Sequence, residues 1–211
     1  MYYLSRELYF PPVHQASAEG IVAIGGDLSA ERLMLAYRSG IFPWFEDDEP
    51  ILWWSPSERM VLLFPELKIS KSMRNIINRD IFKITWNTAF EQVIKNCRSI
   101  KRDGQPGTWI TPEMVTAYCR LHELGYAKSV EVWQDDELVG GLYGIDLGHV
   151  FCGESMFSKV SNASKIAFIA LAQKLERENY RLLDCQVYND HLDSLGACEI
   201  LREDFMEILL S

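Results

Sequence analysis

No stretch of the 211 residues approaches 18 consecutive apolar positions. The opening MYYLSRELYFPP also lacks the basic-then-apolar pattern of an export signal. These absences argue against a membrane-spanning helix, and a soluble, unexported, cytoplasmic protein is expected. Cysteine is sparse: Cys97, Cys119, Cys152, Cys185 and Cys198 are odd in number and include no C-x-x-C pair. That usage fits reduced thiols and gives no zinc site. Basic residues are outnumbered, 21 Lys and Arg against 30 Asp and Glu, for a net charge of -9. Indiscriminate nucleic-acid binding is thereby disfavoured, because phosphate contacts need clustered cations. No serine or cysteine stands in a nucleophile motif, and no His, Cys, Asp or Glu spacing resembles a metal site, so hydrolysis by triad or metal has no support. The GGLYG run at 140–144 lies within a strand pattern with no helix after it, so it is not a phosphate-cradling G-x-G-x-x-G. Repeats, low-complexity segments and long linkers are missing as well.

What is present centres on His149 to Val187. The run HVFCGES reads as a strand, Ser161 or Asn162 as a cap, the residues from Ala163 as about four helical turns, and LLDCQV as a buried strand. Strand, helix, strand predicts a βαβ unit with parallel neighbours. Glu154 interrupts the first strand and Asp184 the second. Gln186, two residues beyond Asp184, is expected on the same face. Two readings are open: structural carboxylates satisfied by backbone or a basic residue such as Lys165, or acids with perturbed pKa values doing chemistry.

Around this unit, residues Tyr2 to Phe45 read as a small turn-rich segment, with Asp27 and Ser29 capping a helix that carries Leu33, Met34 and Tyr37 and stops at Gly40. Trp53 and Trp54 suit an aromatic core or interdomain contact, and Trp44 a platform for a base or ring. Ser70 is expected to cap a helix to about Arg79 with Met73, Ile76 and Ile77 buried. Its opposite face carries Lys71, Arg74, Asn75 and Asn78, with Lys68 and Arg79 near the ends. That face is either merely solvated or a phosphate-binding surface. Thr88 with Glu91 predicts a capping box. SIKRDGQPGTWIT reads as an exposed loop, mobile until bound, that delivers Trp109 to a surface. Thr111 and Pro112 open the next helix. Residues 127–155 read as an antiparallel three-stranded meander turning at Asp135-Asp136 and near Gly148. NDHLDSLGA predicts a short helix and turn, in which His191 is a structural hydrogen-bonder, and REDFMEILL a terminal amphipathic helix.

Taken together, GGDLS (25–29), GIFPWF (40–45), ILWWSP (51–56), GTWIT (107–111), LHELG (121–125), EVW (131–133), LVGGLYG (138–144), FCGESMFS (151–158), NASK (162–165), DCQ (184–186) and NDH-x-x-SLGA (189–197) closely resemble leucyl/phenylalanyl-tRNA–protein transferases over nearly the whole chain. The resemblance implies an α+β protein with a small N-terminal domain, residues 1–60, and a C-terminal domain, residues 61–211. The latter is built as an acetyltransferase-like (GNAT-type) mixed sheet with flanking helices. It implies transfer of Leu or Phe from Leu-tRNA or Phe-tRNA to the N-terminal Arg or Lys of proteins, forming an N-degron for proteolysis; such aminolysis of an activated ester needs no metal or cofactor, and a monomer is expected.

Carried onto this sequence, the family's site makes Asp184 and Gln186 the catalytic pair, the carboxylate polarising and orienting the amide. Glu154 would contact the basic N-terminus. Leu142, Phe151, Gly153, Met156 and Leu183 would form the side-chain pocket, and Trp44 and Trp109 would hold the terminal adenosine. Lys68, Lys71, Arg74 and Arg79 would take the acceptor stem. Leu142 replaces a frequent methionine, and Asn75 and Asn78 thin a basic run. Competing readings are a thioester-dependent acyltransferase and a non-enzymatic tRNA- or peptide-binding module. The first lacks the glycine-rich pyrophosphate turn, since FSKVSNASK stands there instead.

Overall fold

The computed structural model describes residues 2–100 and 109–211. The predicted loop at 99–111, with Lys101 and Arg102, lies mostly outside the described residues. In chain order the elements are β1 (Tyr2–Leu4), β2 (Ile21–Gly25), α1 (Ala30–Arg38), β3 (Phe42–Pro43), β4 (Leu52–Trp54), β5 (Glu58–Leu62), α2 (Lys71–Asn78), β6 (Lys83–Trp86), α3 (Phe90–Ser99), α4 (Pro112–Glu123), β7 (Ala127–Gln134), β8 (Glu137–Asp146), β9 (Val150–Ser158), α5 (Ala163–Arg177), β10 (Leu182–Gln186), α6 (Asp190–Asp193), β11 (Cys198–Leu201) and α7 (Arg202–Leu210). No described helix is long and apolar enough to cross a membrane.

Two mixed sheets organise the chain. A four-stranded sheet, ordered β1-β2-β4-β3, belongs to the N-terminal segment, and a seven-stranded sheet, ordered β11-β5-β10-β9-β8-β7-β6, forms the larger part. The meander β7-β8-β9 is antiparallel and β10 joins β9 in parallel through α5, as the sequence pattern predicts. This is the expected α+β arrangement, a mixed sheet with flanking helices. Strand β5 is a finding beyond the sequence reading. It pairs antiparallel with both β10 and the edge strand β11, one strand in from the rim of the large sheet, and residues 60 and 61, the anticipated domain boundary, both lie within it.

The sheet separates two cores. On one face, Phe90 and Val93 of α3, Tyr118 of α4 and Phe205 of α7 pack in one cluster with Leu33, Tyr37 and Trp53 of the N-terminal segment. On the other, α5 contributes Ile166, Phe168 and Leu171, and Met73 of α2 joins them. Burial of such side chains at about 1.5–3 kcal/mol each is what holds the layers together.

Local capping explains most helix starts and corrects two expectations. Ser29, Ser70 and Thr111 accept from Arg32 N, Met73 N and Met114 N, as their positions predict. The Thr88–Glu91 capping box does not form. Thr88 Oγ1 instead lies 3.0 Å from the buried Glu131 carboxylate, which also takes the Ala89 N–H at 3.4 Å. A carboxylate from β7 thus caps α3 in place of its own chain. At α5, Asn162 sits at φ +71° without a side-chain cap, and Ser158 Oγ of β9 accepts the Ser164 N–H at 3.2 Å. The apolar stripe of α2 is also narrower than expected, since Ile77 is 40% exposed.

Candidate active site

Pairing between β9 and β10 ends at Cys152 and Asp184, while β9 runs on to Ser158 against β8 alone. Where the two strands part, their backbone groups and side chains face a gap in the sheet. Each strand also carries a β-bulge there. On β9 the register shifts so that Glu154 falls between Gly153 and Ser155 with no partner on β8, and on β10 it shifts between Asp184 and Gln186. Bulges re-aim side chains, and these two turn Glu154 and Gln186 toward one another. Gln186 Nε2 donates to Glu154 Oε1 at 2.9 Å.

Gln186 adopts φ +64°, a left-handed conformation that costs a non-glycine residue about 1–2 kcal/mol. Asp184 offsets this cost: its Oδ1 accepts the Gln186 main-chain N–H at 2.9 Å. The same carboxylate is locked to Arg59 of β5 by bonds from Nε at 2.8 Å and Nη2 at 2.7 Å, and both side chains are buried. Arg59 lies between the rings of Phe42 and Phe205, its Cζ 4.7 and 4.5 Å from their centroids, and its Nη1 donates to Gly40 O at 3.2 Å. Burial alone would lower the Arg59 pKa, but Asp184 holds it above its usual value. The bulge therefore separates what period-2 alternation places together. Asp184 faces the core and touches Gln186 through the backbone, whereas the Gln186 side chain reaches Glu154.

Glu154 is surrounded by polar partners on a buried floor. Tyr37 Oη of α1 lies 2.7 Å from Oε1 and Tyr118 Oη of α4 lies 3.0 Å from Oε2, with the two hydroxyls in direct contact. Burial pushes the Glu154 pKa up to about 8; Tyr37, Tyr118 and Gln186 oppose the rise through hydrogen bonds and the charge of Asp184 adds to it. Burial, then the charge of Glu154, raises both tyrosines well above their ordinary value.

The gap opens into a cleft of about 670 Å³. Of the anticipated residues, Leu142, Gly153, Glu154, Met156, Leu183 and Gln186 line it, as do Trp44 and Trp109. Phe151 is buried behind the wall, where a side chain at Gly144 would strike its ring, and Asp184 is buried away from the cleft. Phe168 and Leu171 of α5 complete the apolar side and Tyr188 and His191 lie across it. Trp44 is 40% exposed and tilts against Trp54 at 5.7 Å, while Trp53 is fully buried with its Nε1 on Gly25 O at 2.8 Å. Lys68, Lys71, Arg74 and Arg79 are exposed on and beside α2, and among the described residues none of the four forms an ion pair. No described cluster of three His, Cys, Asp or Glu is arranged to hold a metal.

Sequence reasoning missed Arg59, Tyr37 and Tyr118 as parts of this site. A cation inside the apolar ERMVLL run and tyrosines on buried helix faces were the available signals, since a buried arginine or phenol needs a polar partner. An apolar cleft with an amide, a carboxyl and two phenols at its base can hold an aliphatic or aromatic group beside a polar reacting centre.

Comparison with known proteins finds relatives along nearly the whole chain. The family model described as leucyl/phenylalanyl-tRNA protein transferase matches residues 61–210, and that of the same proteins' N-terminal domain matches residues 26–57. Proteins named leucyl/phenylalanyl-tRNA–protein transferase are similar throughout. That of Flavobacterium johnsoniae is 71% identical over 100% of both chains, and that of Christiangramia forsetii 55% over 100% of both. An Escherichia coli relative is 53% identical over 98% of this chain and 88% of its own. Among solved structures, a conserved protein of unknown function from Bacteroides thetaiotaomicron shares the fold at a TM-score of 0.50 and 12% identity, over 72% of this chain and 55% of its own.

Proposed function

Because the chain belongs to the leucyl/phenylalanyl-tRNA–protein transferase family, and is thus an aminoacyltransferase, we propose that it moves Leu or Phe from aminoacyl-tRNA to the N-terminal Arg or Lys of a protein. The product would be an N-degron that commits the protein to proteolysis in the bacterial cytoplasm. The observation that supports this reading is the Glu154–Gln186 contact at 2.9 Å, set where β9 and β10 part and within a cleft that Trp44 and Trp109 also line.

The reaction is aminolysis of an activated ester and is downhill without ATP. The neutral amine attacks the ester carbonyl, the C–N bond forms, the C–O bond breaks, and the ribose hydroxyl leaves with a proton. Enzyme residues gain most by aligning amine and carbonyl at about 3–3.5 Å. Gln186 Nε2 is engaged by Glu154, so its Oε1 is the atom that accepts a hydrogen from the attacking amine. Asp184 fixes the Gln186 backbone, and Arg59 fixes Asp184. Leu142, Met156, Leu183, Phe168 and Leu171 receive the Leu or Phe side chain; Trp44 and Trp109 stack on the terminal adenosine; and the α2 face with Lys68, Lys71, Arg74 and Arg79 takes acceptor-stem phosphates. Glu154 is the acidic group that meets the acceptor's cation and gives up its proton when that cation arrives.

The test is transfer of radiolabelled leucine from Leu-tRNA to an Arg-starting peptide. Labelled peptide supports the reading. Transfer from a leucyl thioester instead, or tRNA binding without transfer, would replace it.

A further inference from the structure

Tyr37, Tyr118 and Glu154 form a closed ring of three oxygen–oxygen contacts: Tyr37 Oη to Glu154 Oε1 at 2.7 Å, Tyr118 Oη to Oε2 at 3.0 Å, and Tyr37 Oη to Tyr118 Oη. Each contact needs one hydrogen, because two oxygens at such distances without a proton between them repel. The two phenols supply two. We propose that Glu154 supplies the third: in the resting site it is a neutral carboxylic acid, and Tyr37 and Tyr118 are the positioning residues that close the ring with it.

Gln186 sets the direction of the ring. Its Nε2 donates to Oε1 at 2.9 Å, so Oε1 is the carbonyl oxygen and the proton sits on Oε2. Oε2–H donates to Tyr118, Tyr118 to Tyr37, and Tyr37 to Oε1. The neighbours facing the ring favour the neutral form. On β10, Asp184 is negative, and on β5, Arg59 has both its Nε and Nη2 committed to that carboxylate. On β9, Cys152 is a buried thiol whose pKa burial, then Asp184, pushes well up. On β8, Tyr143 meets Tyr118 edge-on at 5.7 Å. None of these offers Glu154 an unshared cation. Burial of the carboxyl works the same way, since desolvation disfavours the charged form.

A neutral Glu154 orders the reacting amide. With a carbonyl oxygen at Oε1, Gln186 must present Nε2 to it and Oε1 to the cleft. This consequence rests on the transferase reading, but the protonation state does not and is tested on the free protein.

Glu154→Gln mimics the neutral acid, with a carbonyl for Tyr37 and Gln186 and an N–H for Tyr118. The experiment records melting curves of wild type and Glu154→Gln between about pH 5 and pH 9. The folded Glu154 keeps its proton above the unfolded value of about 4.3. As pH rises, the unfolded chain therefore loses its proton first, and stability is lost up to about the folded pKa. The melting temperature of wild type should fall progressively relative to the variant and level off above about pH 8. A difference that stays constant across the range overturns the proposal. Should the variant fail to fold, carbon-13 NMR of glutamate carboxyls in wild type decides instead. One carboxyl titrating above pH 7 supports the neutral acid, and titration of all of them below about pH 6, within the ordinary range, overturns it. Tyr118→Phe opens the ring, and its kcat should drop about tenfold at unchanged KM for aminoacyl-tRNA. An unchanged kcat removes Tyr118 from the positioning of Gln186.

Discussion

Arg59 and Asp184 meet as a fully buried bidentate pair, with Nε–Oδ1 at 2.8 Å and Nη2–Oδ2 at 2.7 Å, and the same carboxylate caps the main-chain N–H of Gln186. One buried side chain thus holds the core and, in the proposed reaction, also positions Gln186. Asp184→Asn leaves a guanidinium buried without its counter-charge, which should cost about 3–5 kcal/mol of stability. Replacing the pair together, Arg59→Met with Asp184→Leu, should recover most of that loss, because well-packed apolar residues often substitute for buried ion pairs. It also removes the acceptor for Gln186, so turnover should fall about 100-fold. Chemical denaturation and single-turnover kinetics on both variants separate the two duties. Full activity in the double variant would take Asp184 out of the mechanism.

Glu154→Gln retains the hydrogen-bonded floor but cannot become an anion when a cation arrives. Use of Arg- and Lys-starting peptides should weaken by about 1.5–3 kcal/mol, as for a charge-assisted hydrogen bond, while constants for aminoacyl-tRNA stay near wild type. Steady-state kinetics with each substrate varied in turn check this. A loss confined to aminoacyl-tRNA would move the acceptor site elsewhere.

Trp109 and Trp44 both line the cleft, and Trp44 keeps 40% of its surface exposed. Alanine at either position should raise KM for aminoacyl-tRNA by an amount worth about 1–3 kcal/mol, the value of stacking on a base. If Trp109→Ala lowers the melting temperature and spares the kinetics, that ring is part of the core.

Lys71→Ala with Arg74→Ala removes two exposed cations from α2. Binding of aminoacyl-tRNA should weaken equally across tRNA sequences, and the log–log salt slope should flatten by about 1–2, the signature of two lost phosphate contacts. An unaltered slope would leave this face merely solvated.

Legibility followed distance along the chain. The meander, α5 and the Ser29, Ser70 and Thr111 caps depend on periodicity or on residues three apart, and they were readable from composition and spacing. Strand β5 was not, because a short apolar run such as MVLL cannot be told from a buried helix segment by periodicity and its partners β10 and β11 lie far along the chain. The capping of α3 depends on Glu131, 43 positions from Thr88. The polar floor joins Tyr37 to Tyr118 across 81 positions, and Arg59 to Asp184 across 125. Simple alternation also failed at Asp184 and Gln186, since one inserted residue resets which face a strand presents.

The central claim is that the Glu154–Gln186 cleft forms a peptide bond between an aminoacyl ester and a basic N-terminus. Its most direct measurement is mass-spectrometric detection of product from Leu-tRNA with peptides that begin in Arg, Lys or Ala, using wild type and Gln186→Ala side by side at matched melting temperature. Leucine should be added to the Arg and Lys peptides only, and its transfer should be lost in the variant. Transfer to all three peptides alike, or undiminished transfer by Gln186→Ala, would contradict the assignment.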